Sequence, residues 1–285
     1  MYVYVYEQIN TTATNTTMTS TVADIIKIME NIAPVYLAEE WDNVGLQVGK
    51  MDWPVRHIWI ALDPVPDVVT AACSKDVDLL ITHHPLIFQP IRSIDFNDSI
   101  GAVIQMASQH SLAVFAAHTN LDNAEDGIND ILAYKIGLKN LKVLEKVSES
   151  ENRQGIGRIG ELDQETILRS FALKIKEKLG LKWVKIAGNP ELSINKAVVC
   201  AGSGSSLINN FFSSGAQVFI SGDLRYHDAR EVSNKNLGLI DIGHFASEHL
   251  IVDILAERLQ KMINETGLKV KVDAYILEND PFIII

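Results

Sequence analysis

Residues 77–85, Val-Asp-Leu-Leu-Ile-Thr-His-His-Pro, place two adjacent histidines directly after an apolar strand. The same order occurs twice more, since residues 112–117 precede His118 and residues 237–242 precede His244. A short apolar run followed by polar residues is typical of a buried strand that ends at a functional edge of a sheet. This recurring pattern therefore predicts a sheet whose strand ends carry histidines.

Stretches with helical apolar spacing lie between the predicted strands. We predict such helices at residues 99–110, 164–179 and 244–263. Strands that alternate with helices form βαβ units, in which the strands are mostly parallel. The sequence therefore predicts an α/β fold.

A polar stretch at residues 147–154 separates two series of strands and helices. We therefore predict a first α/β domain formed by residues 18–146 together with 247–285, and a second formed by residues 147–246. Residues 1–17 include a threonine-rich segment and are predicted to be a poorly ordered extension.

The composition argues against several classes of protein. The 285 residues carry a formal net charge of −11, whereas broad binding to nucleic acid or anionic membranes needs a basic surface. No apolar run reaches the length of a membrane span. Cys73 and Cys200 are predicted to be small buried hydrophobic residues, which favours a reducing cytoplasm. We therefore expect a cytoplasmic protein without nucleic-acid or membrane partners.

The polar residues after the predicted strands form a set of nitrogen and oxygen ligands. Because sites in open α/β sheets form beyond the carboxyl ends of the strands, these side chains are expected to meet. Adjacent histidines can point to different sides of a turn, which suits one histidine per ion in a two-metal centre. The set without cysteine suits Zn²⁺, Mn²⁺, Fe²⁺ or Ni²⁺. The predicted ligands of two divalent ions are His83, His84, Asp122, His244 and Glu248.

Three further polar residues lie near these positions in the sequence. His118, Asp223 and His227 are interpreted as groups that orient the ligands or transfer protons. A single histidine at a strand end is usually a hydrogen-bonded surface residue, and a glutamate four residues after a histidine is common by chance. Several such residues at separate strand ends favour the metal site over that simpler interpretation.

Two glycine-containing segments allow more than one interpretation. Residues 202–205, Gly-Ser-Gly-Ser, follow a strand and precede a helix, so they could bind a phosphate, although a tight turn is the default. In residues 40–49, Trp41 is interpreted as a packing or interface residue, whereas Asp42 and Asn43 could reach a cleft.

Five ordered segments resemble those of a known family. The segments are EWDNVGLQVG (40–49), ITHHPLIF (81–88), HTNLDNA (118–124), SGDLRYHDA (221–229) and GHFASEH (243–249). On these segments the sequence is similar to the Ngg-interacting-factor-like family, whose bacterial members are often labelled GTP cyclohydrolase 1 type 2 homologues. The similarity extends from about Met18 to the carboxyl terminus and matches the short form without an inserted middle domain.

The resemblance implies two α/β domains that face each other across a cleft holding a dinuclear metal site. It implies His83, His84, Asp122, His244 and Glu248 as ligands, with Glu248 contacting both ions. It also implies a homo-oligomer, namely a hexameric ring built as a trimer of dimers.

The function implied by the family label is hydrolytic opening of the GTP imidazole ring. A two-metal centre fits this reaction but would equally serve phosphoester or amide hydrolysis. We therefore expect a metal-dependent hydrolase of a nucleotide or related small molecule, with His118 or His227 transferring protons. The alternative is a non-enzymatic, ring-forming protein in which the metal ions serve assembly or metal homeostasis, so whether the chain is an enzyme stays open.

Overall fold

The computed structural model describes residues 19–148 and 152–284. The predicted extension at residues 1–17 lies outside the described residues. Within them the chain forms strands and helices in alternation, as the sequence predicts. The strands are β1 (Gly45–Val48), β2 (His57–Ala61), β3 (Leu79–Thr82), β4 (Ala113–Ala116), β5 (Lys139–Lys146), β6 (Gly155–Ile167), β7 (Lys185–Ala187), β8 (Ser193–Ser203), β9 (Val218–Gly222), β10 (Gly238–Asp241) and β11 (Lys271–Ala274).

The helices connect these strands in chain order. Two short 3₁₀ helices at Val35–Leu37 and Ser205–Leu207 add to them. The α-helices are α1 (Val22–Ile32), α2 (Pro66–Ser74), α3 (Ser99–His110), α4 (Thr119–Asn123), α5 (Ile128–Ile136), α6 (Leu168–Lys178), α7 (Ile208–Ser214), α8 (Tyr226–Asn234), α9 (His244–Glu248) and α10 (Leu250–Thr266).

The first sheet has the strand order β1-β4-β3-β2-β11. All neighbouring strands run parallel except β1, which is antiparallel to β4. Every residue of β3 is buried, because helices cover both faces of the sheet. Strands β2, β3 and β4 end at the same edge, so Asp63, His83 and His118 follow them there.

The second sheet has the strand order β5-β6-β8-β9-β10-β7. Its central strands β8, β9 and β10 are parallel, whereas β5, β6 and β7 are antiparallel to their neighbours. The parallel strands lead to Ser203, Asp223 and His244 at their carboxyl ends. Both sheets therefore contribute strand ends to one region of the molecule.

The two sheets share one hydrophobic core. Helices α1, α5, α6 and α10 contribute to a single buried cluster that contains Ile81 of the first sheet and Val199 of the second. The outer face of the first sheet packs against α2 and α3, and that of the second packs against α7 and α8. No helix in the described parts of the chain is long and apolar enough to cross a membrane.

The structure corrects several predicted boundaries. The helix predicted at residues 164–179 begins only at Leu168, because β6 continues to Ile167 and pairs with β8 there. The helix predicted at residues 244–263 is divided into α9 and α10, which meet at His249. The predicted domain division stays a prediction, although Lys139–Lys146, which precede its boundary, pair within the second sheet.

Candidate metal centre

The strand ends of both sheets bring the five predicted ligands together around one carboxylate. Glu248, on α9, lies with Oε2 3.0 Å from His84 Nε2 and 2.9 Å from His244 Nε2. Its Oε1 lies 3.6 Å from His83 Nε2. Since the Glu248 side chain is only 5% exposed, a buried carboxylate sits between three imidazoles.

Asp122 approaches the same cluster from α4. Its Oδ1 lies 3.7 Å from His83 Nε2, and the His83 side chain is almost fully buried. The helix places Asp122 there because the carbonyl oxygen of His118, one turn earlier, accepts the backbone N–H of Asp122. All five residues predicted as ligands therefore surround a common centre.

Three buried polar atoms of this cluster have no hydrogen-bond partner within the described residues. They are His83 Nε2, Asp122 Oδ1 and Glu248 Oε2. The contacts of Glu248 with the imidazoles are close but are not aligned as hydrogen bonds. Leaving buried polar atoms unsatisfied costs about 1–3 kcal/mol each, whereas a cation would satisfy all three. The residues present therefore fit divalent metal ions.

The candidate ligand atoms fall into two overlapping groups. One group is His83, His84 and His118, and the other is His84, His244 and Glu248; within each group the atoms lie within 4.8 Å of one another. His84 belongs to both groups. The overlap suits two neighbouring ions, and it brings His118 closer to a ligand position than the sequence indicated.

Each imidazole is oriented by a partner on its outer nitrogen. Nδ1 of His84 lies 2.8 Å from Asp63, and Nδ1 of His244 lies 2.7 Å from Asp223. This arrangement leaves Nε2 free to face the centre, as in many metal sites. Asp223 therefore orients a histidine, as one of the sequence interpretations held.

His83 and His118 follow the same rule. His83 Nδ1 lies 3.0 Å from the carbonyl oxygen of Ala117. His118 Nδ1 lies 2.9 Å from Asp42, whose other oxygen accepts the backbone N–H of Thr119. Asp42 thus reaches the cleft, which was one of the alternatives considered for residues 40–49.

The electrostatics of the cluster reflect its burial and its opposite charges. Burial lowers the pKa of His84, but Asp63 and Glu248 outweigh it and raise this pKa to about 10. The Glu248 carboxylate, against burial, raises the pKa of His244 to about 9. Burial would raise the pKa of Glu248, but His83 and the other imidazoles hold it well below its ordinary value. Without metal, the imidazoles of His84 and His244 therefore keep their protons to a higher pH than an ordinary histidine does.

The two aspartates on the other side of the cluster differ in their ionisation. Burial raises the pKa of Asp122 above its ordinary value. Burial would also raise the pKa of Asp42, but hydrogen bonds from His118 and Thr119 outweigh it and lower this pKa to about 2. Asp42 is therefore a permanent anion behind His118.

Gly202 makes room for the central carboxylate. It has φ +62°, and a Cβ at this position would lie 2.1 Å from Glu248 Oε1. Its N–H donates to Ser247 Oγ at 2.8 Å, and Ser247 donates to the carbonyl oxygen of His244. Residue 202 therefore lies inside β8 and supports α9.

Three supporting residues were missed by sequence reasoning. Asp63 was not among the predicted site residues, although it follows β2 as the predicted histidines follow their strands. Asn129 donates to the carbonyl oxygen of Asp122 and accepts the N–H of Ala201, so it links α4 to β8 beside the site. Glu278 accepts the N–H groups of Leu62 and Asp63, both at 2.8 Å.

The structure does not bring His227 to the cluster. This side chain is exposed on α8, and its ring contacts that of Tyr226. Within residues 19–148 and 152–284, His227 makes no hydrogen bond or ion pair with the candidate ligands or with Asp223. Although Asp223 is only four residues away in sequence, α8 begins at Tyr226 and carries His227 on its exposed side.

A cavity of about 620 Å³ opens beside the centre. His84 and His244 form its inner end, and Trp183 and Lys185 line its wall together with the carboxy-terminal residues 280–284. On another side, the exposed rings of Trp41 and Phe88 lie 5.7 Å apart and close to His118. A cavity of this volume can hold a molecule of nucleotide size.

Comparison with known proteins identifies relatives over most of the chain. A model of the Duf34/NIF3 (NGG1p interacting factor 3) family matches residues 20–281. The "GTP cyclohydrolase 1 type 2 homolog" of Clostridium acetobutylicum is 31% identical over 93% of this chain and 99% of its own. That of Clostridium perfringens is 34% identical over 85% and 92%. A Bacillus cereus protein related to NIF3 has a similar structure, with a TM-score of 0.87, 26% identity and coverage of 93% and 99%.

Proposed function

The chain belongs to the Duf34/NIF3 (NGG1p interacting factor 3) family, and we propose that it binds two divalent metal ions and hydrolyses a nucleotide or related small molecule. The observation that carries this proposal is the convergence of unpartnered buried ligand atoms from His83, Asp122 and Glu248. The name of the relatives, homologue of GTP cyclohydrolase 1 type 2, supports a nucleotide as the substrate class.

The ligands of the ions would be His83, His84, Asp122, His244 and Glu248, and the carboxylate of Glu248 lies near the imidazoles of all three histidines. When bound, two divalent ions would supply Lewis-acid activation of water and of the substrate. Asp63 and Asp223 hold the imidazoles of His84 and His244 so that Nε2 faces the centre. The protein thus keeps its ligands in fixed orientations before substrate arrives.

His118 is the proposed group for proton transfer. Asp42, a buried anion, lies 2.9 Å from Nδ1 of His118 and orients its ring. Its ring lies 5.2 Å from that of His83, which places it beside the centre. His227 takes no part in this proposal because it is exposed on α8.

The test combines metal content with activity. We expect about two metal ions per chain in protein purified without chelator, and hydrolysis of at least one member of a panel that contains GTP, phosphoesters and amides. Glu248→Gln should lose metal and activity, whereas Glu257→Gln, on the exposed face of α10, should keep both. Metal-loaded protein that leaves the whole panel unchanged would exclude the hydrolase.

A non-enzymatic ring is the second candidate, and exposed apolar residues favour it. Ile276, Leu277, Phe282 and Ile283 are each more than 60% exposed, and such a patch usually marks a contact surface. In this proposal the hexameric ring depends on the ions. Light scattering before and after chelation tests it, and a stable hexamer without metal would contradict the metal-dependent assembly.

A further inference from the structure

We propose that the cavity beside the candidate metal centre binds a planar heterocycle that carries a single phosphate group, with Trp183 stacking on the ring and Lys185 binding the phosphate. The substrate class rests on the proposed function. The assignment of the two residues rests on the geometry of the cavity wall, where Trp183 and Lys185 lie beside the predicted ligands His84 and His244.

The edge of the second sheet presents Trp183 and Lys185 on one face. Strand β7 pairs antiparallel with β10, and Lys185 lies opposite Asp241. Alternate residues of an extended chain point to the same side, and Lys185 Nζ lies 5.2 Å from the centre of the Trp183 ring. Val184, between them, packs against the core instead. The ammonium therefore lies over the Trp183 ring, and both side chains line the same cavity.

This part of the cavity wall lies beside the metal ligands. A Cβ placed on Gly243, which has φ +83°, would lie 3.9 Å from Cη2 of Trp183. Gly243 is the residue immediately before His244. Trp183 and His244 line the same cavity, so a planar ring stacked on Trp183 would share that cavity with the imidazole of His244.

A buried carboxylate fixes the ammonium of Lys185. Asp241 Oδ2 lies 2.8 Å from Nζ, and the Asp241 side chain is 7% exposed whereas that of Lys185 is 67% exposed. The other oxygen of Asp241 accepts the N–H of Gly243 at 3.0 Å. Since an ammonium has three N–H donors, Lys185 keeps donors for a ligand in the cavity.

The remaining charges of the wall limit the size of the anionic group. The carboxylates of Asp63 and Asp223 are hydrogen-bonded to imidazoles, and that of Asp280 accepts the N–H of Phe282. Lys185 is the only lysine or arginine among the described residues that line the cavity. Outside the metal centre the wall therefore offers one cation, which suits one phosphate group.

The test measures binding of GMP and guanosine to metal-loaded protein by calorimetry. We expect Lys185→Met to weaken the binding of GMP by about tenfold or more, as for loss of a charge-assisted hydrogen bond. The affinity for guanosine should not change. Lys185→Arg should keep the affinity for GMP, and Trp183→Ala should weaken the binding of both GMP and guanosine by about tenfold. Lys182→Met, an exposed lysine that does not line the cavity, is the matched control.

The outcomes separate this inference from the proposed function. Equal loss of GMP and guanosine in Lys185→Met, or no loss in either, would overturn the role of Lys185. Unchanged binding in Trp183→Ala, or no binding of either ligand to the parent protein, would overturn the site. Metal content measured on the same samples tests the centre independently, because neither residue is a predicted ligand.

Discussion

Replacing Gly202 with alanine tests whether the position of Glu248 controls the metal centre. The new Cβ would lie 2.1 Å from Glu248 Oε1, so the carboxylate must move by about 1 Å to restore van der Waals contact. Metal–ligand distances hold to about 0.2 Å. A displacement of this size therefore removes Glu248 from its ligand position without changing its chemistry.

A second effect of the substitution must be separated from the first. Residue 202 has φ +62°, and an L-residue in this conformation costs about 1–2 kcal/mol. Gly215→Ala is the matched control, because Gly215 has φ +75° and a Cβ there would meet nothing within 4 Å. Both variants should lower the melting temperature by a few degrees, roughly 2–4 °C per kcal/mol.

Only Gly202→Ala should also lose metal. We expect its affinity to fall by about 10- to 100-fold, the range found when residues that position metal ligands are replaced. The assay is a metal titration of both variants, with melting temperature measured on the same samples. If Gly202→Ala binds metal as tightly as Gly215→Ala does, the packing of Gly202 against Glu248 does not control the centre.

Proton release, imidazole orientation and a buried ion pair each give a further prediction. Metal affinity should rise with pH between about 6.5 and 9, because the raised pKa values of His84 (about 10) and His244 (about 9) mean that these imidazoles must release protons to bind metal. Their contribution to the stability of the metal-free protein is complete below the ordinary histidine pKa and is lost as pH rises through 9–10. Metal titrations and thermal melts at several pH values measure both effects, and a metal affinity that does not change with pH would contradict the prediction. Asp63→Asn should weaken metal binding by about tenfold or more, since the His84 imidazole loses the carboxylate that orients it. Asp67→Asn, in the first turn of α2, is the control. Equal metal affinities of the two variants would refute the orienting role of Asp63. Asp130→Ala should lower the free energy of unfolding by about 3–5 kcal/mol, because it leaves the buried guanidinium of Arg158 without its carboxylate. Denaturant titration measures this change. A decrease below about 1 kcal/mol would show that the backbone carbonyls bound to Arg158 are enough to stabilise its buried guanidinium.

Much of the site could be predicted because its residues follow strands directly. The apolar run before His83 and His84 marks a buried strand, and parallel strands end at one edge. The same reasoning located His244 and, through helical spacing, Glu248. These signals are local, so a single sequence contains them.

Other parts of the site depend on contacts between distant residues. Glu278 binds backbone N–H groups more than 200 residues away, and Asn129 joins α5 to β8. Such side-chain contacts with backbone leave no periodic pattern in the sequence. His227 is a different case, since it also follows a strand end but lies exposed on α8, away from the cluster, so its role in proton transfer stays a prediction.

The extension of β6 has a related cause. Residues 164–167 have the spacing of a helix start, but pairing of Thr166 and Ile167 with β8 keeps them extended. Local preference is a weak determinant where a neighbouring strand offers hydrogen bonds. The boundary was therefore set by tertiary structure.

Asn129 has a consequence for how the chain can move. One buried amide on α5 binds the carbonyl oxygen of Asp122 on α4 and the N–H of Ala201 on β8, so it links these elements beside the site. The shared core around Ile81 and Val199 reinforces this connection. A motion that separated α4 from β8 would have to break both hydrogen bonds of Asn129, so this one amide resists opening of the site at this point.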